Sequence, residues 1–264
     1  MIRIAISGAT GRMGKMLLEA VAASEDMELV AALTQSGASE LGSNPLATYG
    51  KNTSVRISDD PAVLANADVL IDFTRPEATL NYLPVCVENN VAVVIGTTGF
   101  DTHGHELIAA ASEKIPVVLA PNMSVGVNAA IKLIETAAKL LAQYDCEIVE
   151  MHHKHKVDAP SGTALQMGRA VARARGQVFE DVAVLSREGH TGERQQATIG
   201  FASLRGGDVV GDHTVIFAGP GERIEISHKS GSRAGYAQGA LTAARFILKK
   251  NKGLFSMSEV LGLE

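Results

Sequence analysis

Tryptophan is absent from this 264-residue chain, aromatic residues make up only 4% of it, and cysteine occurs twice. Cys86 and Cys146 show no C-x-x-C spacing and sit in apolar stretches. That excludes a disulfide framework and predicts reduced thiols in a cytoplasmic protein. Long hydrophobic runs are also lacking. No apolar stretch approaches the roughly 20 residues needed to cross a bilayer, and the opening MIRIAIS reads as a strand, not as a charged leader. There are no blocks of like charge, internal repeats or low-complexity segments. A net charge of -5 and a pI near 5.9 argue against a nucleic-acid or membrane partner. What remains, 46% hydrophobic and 20% charged residues, is the composition of a globular enzyme of one large or two small domains.

The first half of the chain alternates strands and helices. Strand patterns fall at residues 2–7, 28–33, 68–73, 91–95 and 116–120, and helical ones at 12–23, 76–88 and 102–113. Residues 35–54, rich in Gly, Ser and Asn, read as a long loop. This alternation predicts a doubly wound, Rossmann-type parallel sheet with helices on both faces. The pattern changes after Asn122. A helix over 124–143 leads to a strand at 147–151, a basic loop and another helix, and then strands dominate at 197–205, 209–218 and 222–229. Gly206-Gly207 and Gly219-Pro220-Gly221 between these last strands read as hairpin-type turns. The expected fold class is therefore α/β: a Rossmann-type domain over residues 1–123 and 235–264, and an inserted α+β domain with an open mixed sheet over 124–234. The closing helix, 236–249, returns to the first domain.

The basic loop carries the sharpest chemical signal. His152, His153, Lys154, His155 and Lys156 are consecutive, and a core does not accept such a cluster because each unpaired buried charge costs several kcal/mol. Pro160, Ser161, Gly162 and Thr163 then open a helix, and the N–H groups of a first helical turn attract carboxylates or phosphates. Residues 152–163 thus read as one anion-binding, proton-handling loop. A metal site built on His153, His155 and Asp158 is the competing reading, although no further cysteine or histidine stands at ligand spacing nearby. A plain solvated loop leaves the helix start unexplained. On a straight strand His152 and Lys156 would lie about 13 Å apart, so the chain has to curl after His153 if both serve one small molecule.

Gly8-Ala9-Thr10-Gly11-Arg12-Met13-Gly14 follows the first strand and opens the first helix, as a dinucleotide-binding turn does. Gly8 allows the turn, Gly11 admits a pyrophosphate, Gly14 permits close helix–strand packing, and Arg12 adds a positive charge. The acidic residue that grips NAD's ribose at the end of the second strand is missing. Thr34 and Gln35 stand there, with no arginine to hold NADP's extra phosphate, so both NADPH and NADH are expected to serve. Two more strand-end loops, Gly96-Thr97-Thr98 and Ala120-Pro121-Asn122-Met123, are placed to line the nicotinamide end. Arg75 also ends a strand and is not counted among the site residues.

The run from Glu150 to Ala164 (EMHHKHKVDAPSGTA), together with Gly8–Gly14, Asp72–Pro76 (DFTRP), Gly96–Phe100 (GTTGF) and Ser186–Arg194 (SREGHTGER), closely resembles the 4-hydroxy-tetrahydrodipicolinate reductase (dihydrodipicolinate reductase) family, essentially end to end. The histidine–lysine loop carries the resemblance; the glycine turn alone is shared by many oxidoreductases. The resemblance implies a lysine and diaminopimelate biosynthesis enzyme that reduces a cyclic imine dicarboxylate with NAD(P)H and holds no metal. It implies His152 as general acid/base and Lys156 as proton donor. His153 and the N–H groups of Gly162 and Thr163 would hold the substrate carboxylates, with Arg233 a further candidate on charge alone. Gly8 to Met13, Gly96 to Thr98 and Ala120 to Met123 would hold the cofactor. It also implies a homotetramer joined through the sheet of the second domain, whose apolar residues include Ile199, Phe201, Val215, Phe217, Ile224 and Ile226. Members often carry an acidic residue at the end of the second strand, and Thr34 departs from that. The alternatives are another two-domain NAD(P)-dependent dehydrogenase of a small amino or dicarboxylic acid, of the diaminopimelate or aspartate dehydrogenase type, and a nucleotide-sensing binding protein.

Overall fold

The computed structural model describes residues 1–263, which form two compact units: Met1–Val125 with the segment from Arg233 on, and Gly126–Ser232. In the first unit the chain runs β1 (Ile2–Ser7), α1 (Arg12–Ala23), β2 (Met27–Leu33), β3 (Ile57–Ser58), β4 (Val69–Asp72), α2 (Pro76–Glu88), β5 (Ala92–Ile95), α3 (Thr102–Ser112) and β6 (Pro116–Leu119). The second unit contains α4 (Val125–Leu140), β7 (Asp145–His152), α5 (Gly162–Ala174), α6 (Phe179–Val182), β8 (Ala183–Val184), β9 (Ile199–Arg205), β10 (Gly211–Gly219) and β11 (Glu222–Ser230). The chain returns to the first unit with α7 (Ala234–Ile247), β12 (Gly253–Phe255) and α8 (Met257–Leu261).

The first unit is built on a seven-stranded parallel sheet in the order β12-β6-β5-β4-β1-β2-β3. β4 and β5 are buried at every residue, because helices cover both faces and each face removes its own set of side chains from water. Ile4, Ile6, Val69, Ile71 and Val94 pack on one face against Leu17 and Val21 of α1 and Leu241 and Ile247 of α7. Ala5, Leu70, Val93 and Ile95 pack on the other face against Leu83 and Ile108. Each aliphatic side chain so buried contributes about 1.5–3 kcal/mol. β4 lies beside β1, away from β2, so the strand order reverses around β1 and a ligand crevice opens at the carboxyl ends of these strands.

The second unit carries a five-stranded mixed sheet, order β11-β10-β7-β9-β8. The expected hairpin at Gly206-Gly207 is not formed. β9 pairs in parallel with β7, which separates it from β10, so these glycines belong to a crossover and not to a two-strand turn. β10 and β11 do form a hairpin through Pro220-Gly221, where Gly221 has φ +79°. β7 alternates strictly between buried and less buried residues, as a sheet covered on one face requires. Ile199, Phe201, Val215 and Phe217 all face α4 and α5 in a core with Ile134, Met167 and Val171. Ile226 packs at its margin, and Ile224, on the edge strand, is 46% exposed. The opposite face is lined by alternate residues that are only half-buried or exposed, among them Val149, Met151, Leu204, Thr214 and Ile216. The short β3, β8, β12, α6 and α8 have no counterpart in the sequence reading, and a 3-10 turn at Ala47–Tyr49 interrupts the loop expected over 35–54.

Candidate active site

In the first unit the expected nucleotide loop sits between β1 and α1. Gly8 has φ +63°, a conformation costly for any residue with a Cβ. A Cβ on Gly14 would stand 2.1 Å from the carbonyl oxygen of Gly8 and 2.7 Å from Ala9 Cα, so only glycine lets the helix start this close to the turn. Ala9 N–H donates to Leu33 O at 2.8 Å, and the hydroxyls of Thr10 and Thr34 meet at 2.7 Å, which ties the turn to the end of β2. A groove of about 410 Å³ opens here, lined by Gly8, Thr10, Gly11, Thr34 and Gln35 on one side and by Phe73, Thr74, Arg75, Ala78 and Tyr82 on the other. Arg75, set aside from the sequence alone, therefore lines the same groove as Thr34 and Gln35. Arg12 is exposed and Met13 half-buried at the first turn of α1. The lining suits a dinucleotide: a glycine turn in which a Cβ at Gly14 would collide with the backbone, a helix start, and strand-end hydroxyls. Gly8 to Met13, Thr34 and Gln35 would hold it there, and the groove's one arginine supplies positive charge.

The other two expected loops emerge from the same end of the sheet but outside this groove. Gly96 packs under the Phe73 ring, whose nearest atom would lie 2.2 Å from a Cβ at that position. Thr97 is turned inward. Its hydroxyl donates to Asp72 Oδ2 at 3.1 Å and accepts from Thr74 N at 2.9 Å, while Thr98 is exposed. Ala120, Asn122 and Met123 are buried and Pro121 is exposed. Asn122 Oδ1 accepts from Ser124 N at 2.9 Å, and Met123 O lies where a Cβ on Gly239 would collide. Sequence reasoning missed Asp72. It is fully buried at the end of β4 and receives the hydroxyls of Ser7 (2.5 Å), Thr74 (2.7 Å), Thr97 and Thr79. Those donors come from the ends of β1, β4 and β5 and from α2, so one carboxyl group ties together the loops that follow three adjacent strands. The available signal was a cluster of hydroxyl residues just past successive strands.

In the second unit the loop curls as required: Gly206 N–H donates to His152 O at 2.9 Å, His153 N–H to Val209 O at 2.7 Å, and Lys156 N–H to His153 O at 3.1 Å. His152 ends β7, 9% exposed, with Nδ1 2.6 Å from Oε2 of Glu150, two residues earlier on the same face. Glu150 is 1% exposed. Burial pushes its carboxyl up, but hydrogen bonds from Arg205, His152 and Ser203 outweigh that and hold it below the ordinary carboxylate range. Lys156 Nζ is held by both oxygens of Asp158, at 2.7 and 2.8 Å, and that hydrogen bond lowers the Asp158 pKa. His153 is half-buried, its Nδ1 has no partner among the described residues, and its ring lies 6.1 Å from that of His155.

Gly162 and Thr163 are the first two residues of α5, a 13-residue helix capped by Ser161, whose Oγ accepts from Ala164 N at 3.2 Å. Ser161 Oγ also meets His213 Nε2 at 2.8 Å, and the His213 ring stands edge-on to His152 at 5.1 Å. Burial, then the charge of His152, pushes His213 down to about 4. Glu150, Arg205 and His213 were not singled out from sequence, since two of them come from strands more than 50 residues away. Glu150 alone was legible, as the i–2 neighbour of His152 on a strand. Arg233 is exposed at the start of α7 and belongs to the first unit. Among the described residues no group of three His, Cys, Asp or Glu side chains is arranged to hold a metal ion, and no helix is long and apolar enough to cross a membrane.

A Rossmann-type unit with a dinucleotide groove, joined in one chain to a unit that presents histidine, lysine and a helix start, defines a nucleotide-dependent oxidoreductase of a small anion. The N-terminal family model of dihydrodipicolinate reductase matches residues 2–123 and the C-terminal one residues 126–261, and the chain belongs to that family. Proteins called 4-hydroxy-tetrahydrodipicolinate reductase from Polynucleobacter necessarius and Burkholderia multivorans are 58% and 57% identical to it, each over 99% of this chain and 99% and 100% of their own lengths. A solved dipicolinate-bound dihydrodipicolinate reductase from Paenisporosarcina sp. TG-14 superposes with a TM-score of 0.78 at 28% identity, covering 98% of each chain. A diaminopimelate dehydrogenase from C. glutamicum, of the type considered as the alternative, shares the fold at 15% identity and a TM-score of 0.53, over 98% of this chain and 93% of its own.

Proposed function

We propose that this enzyme reduces 4-hydroxy-tetrahydrodipicolinate to tetrahydrodipicolinate, with loss of water, in lysine and diaminopimelate biosynthesis in the cytoplasm, using either NADPH or NADH. The observation that carries the reading is the histidine–lysine loop in front of the α5 helix start, because a dicarboxylate needs anion donors and a reduced ring needs a proton. A bound reduced nicotinamide supplies the hydride. The remaining chemistry falls to side chains. His153 and the N–H groups of Gly162 and Thr163 hold the substrate carboxylates at the positive end of the helix. His152 acts as general acid/base, and Lys156, kept in place by Asp158, delivers the proton that completes the reduced ring.

Gly8 to Met13, Thr34, Gln35, Gly96 to Thr98 and Ala120 to Met123 make up the cofactor side. Thr97 and Met123 act through position, since the hydroxyl of one is engaged by Asp72 and the side chain of the other is fully buried. We further propose a homotetramer formed through the open face of the mixed sheet, the one surface of that sheet that α4 and α5 leave uncovered. The function is tested with pyruvate, aspartate semialdehyde, the upstream synthase and NADPH, following nicotinamide absorbance. His152→Ala and Lys156→Ala should each lower kcat by roughly 100- to 10,000-fold, the usual size of acid/base assistance, with NADPH affinity little changed. Near wild-type kcat in both variants, with cofactor affinity lost, would overturn these roles.

A further inference from the structure

We propose that Glu150 and Arg205 form a positioning pair that sets which nitrogen of His152 exchanges protons and couples it to the seat of Lys156. This rests on the reading of His152 as the acid/base. Glu150 is 1% exposed, and its two oxygens are ringed by donors besides Ser203: Oε2 lies 2.6 Å from His152 Nδ1 and 2.9 Å from Arg205 Nη1, and Oε1 2.9 Å from Arg205 Nη2 and 3.2 Å from Ser161 N. A carboxylate held this way only accepts, so the histidine nitrogen facing it carries a hydrogen. The bare nitrogen of neutral His152 is then Nε2.

The surroundings of Nε2 agree. Gly211 lies beside it, and a Cβ there would be 2.9 Å from Nε2, so the glycine keeps that side of the ring clear. His213 stands edge-on to the ring with its own Nε2 committed to Ser161, and offers His152 no competing hydrogen bond in the structure. Arg205 reaches Glu150 because β9 runs parallel to β7 with Arg205 in register with His152. Its Nη2 also donates to the carbonyl oxygen of Asp158 at 2.7 Å, and the carboxylate of Asp158 holds Lys156 Nζ. One guanidinium thus spans from the carboxylate behind His152 to the turn that carries Lys156. A lysine in its place keeps the charge but lacks the flat fork that serves both sites at once.

The test measures the His152 tautomer by ¹⁵N NMR at neutral pH without substrate, and kcat, substrate KM and NADPH affinity by assay, in the full-length protein carrying Glu150→Gln or Arg205→Lys. In wild type the neutral form of His152 should carry its hydrogen on Nδ1. In Glu150→Gln the amide can face Nδ1 with either its oxygen or its NH2, so a mixture of tautomers should appear. Its kcat should drop roughly 10- to 1,000-fold, a partial loss of acid/base assistance because the correct tautomer stays partly populated, while NADPH affinity stays within about twofold. Arg205→Lys should lower kcat at least about tenfold and also raise substrate KM, because the Asp158 turn is released. It carries the test if Glu150→Gln does not fold. A wild-type hydrogen on Nε2, or both variants keeping kcat within about twofold, overturns the pair's role. If His152→Ala instead retains wild-type kcat, the reading of His152 falls, whereas the tautomer spectra still decide whether the pair sets the ring.

Discussion

Acidification should destabilise this protein through one buried imidazole. His213 is 4% exposed, and burial, with the charge of His152 next and smaller effects of His228 and Lys156, brings it from 6.5 to about 4 against the opposing effect of Glu150. The unfolded chain takes this proton near pH 6.5 and the folded protein refuses it until near pH 4. As pH falls through that window the unfolded state therefore binds more protons, and stability drops. It is fully present above pH 6.5 and levels off below pH 4. At about 1.4 kcal/mol for each unit of pKa the whole loss is about 3 kcal/mol, and about 2 kcal/mol of it falls between pH 7 and pH 5. His213→Gln keeps a hydrogen-bonding group for Ser161 Oγ and removes the titration. Equilibrium urea unfolding of both proteins at pH 7 and pH 5 isolates the effect, because other groups titrate in both. Wild type should lose about 2 kcal/mol more than the variant over that interval. An equal loss in the two, or a His213 resonance that titrates near pH 6.5 in the folded protein, would refute the reasoning.

Much of the first unit was legible because its elements are long or punctuated. The 12 residues of α1 follow a glycine turn, α2 starts at Pro76, and β4 and β5 are short apolar runs between helices. β3 and β8 have two residues each, and β12 has three. Strands that short have no period to read, and they exist only because a neighbouring strand offers hydrogen bonds. The misread turn at Gly206-Gly207 has the same origin. Glycine marks a place where the chain bends, but pairing partners are chosen by the whole sheet, and β7 takes the position between β9 and β10.

The candidate site divides along similar lines. The proposed loop from His152 to Thr163 stood out in the sequence because a local cluster of cations is costly to bury, and the N–H groups of a helix start beside it attract anions whatever the tertiary fold. Its supports were not. Arg205 and His213 are ordinary residues of alternating strands until β9 and β10 flank β7 and bring them to Glu150 and Ser161. Asp72 likewise gains its meaning only when β1 and β5 pair with β4 and deliver Ser7 and Thr97 to it. Groups that meet the substrate can announce themselves in sequence by unusual composition. Groups that hold them in place are contributed by register, which a single sequence does not display.

Two perturbations probe assembly and cofactor choice. Light scattering at micromolar concentration should give the mass of four chains, and a monomer mass would exclude assembly through the open sheet face. Thr34→Glu should move cofactor preference toward NADH. Thr34 follows β2, lines the groove that also holds Arg75, and shares its hydroxyl with Thr10 at 2.7 Å. With neither an acid nor a base on β2 there, wild-type kcat/KM values for NADPH and NADH should lie within about a thousandfold of each other, or about 4 kcal/mol. A carboxylate at this point accepts ribose hydroxyls and stands several ångströms from where a 2'-phosphate would sit. At the effective dielectric of a solvated groove that repulsion is about 1–2 kcal/mol, a shift of roughly 5- to 30-fold in the ratio. Thr34→Gln, with the same length and no charge, should leave the ratio close to wild type. If Thr34→Gln shifts it as far as Thr34→Glu does, size and not charge governs the choice, and the electrostatic account of this groove is wrong.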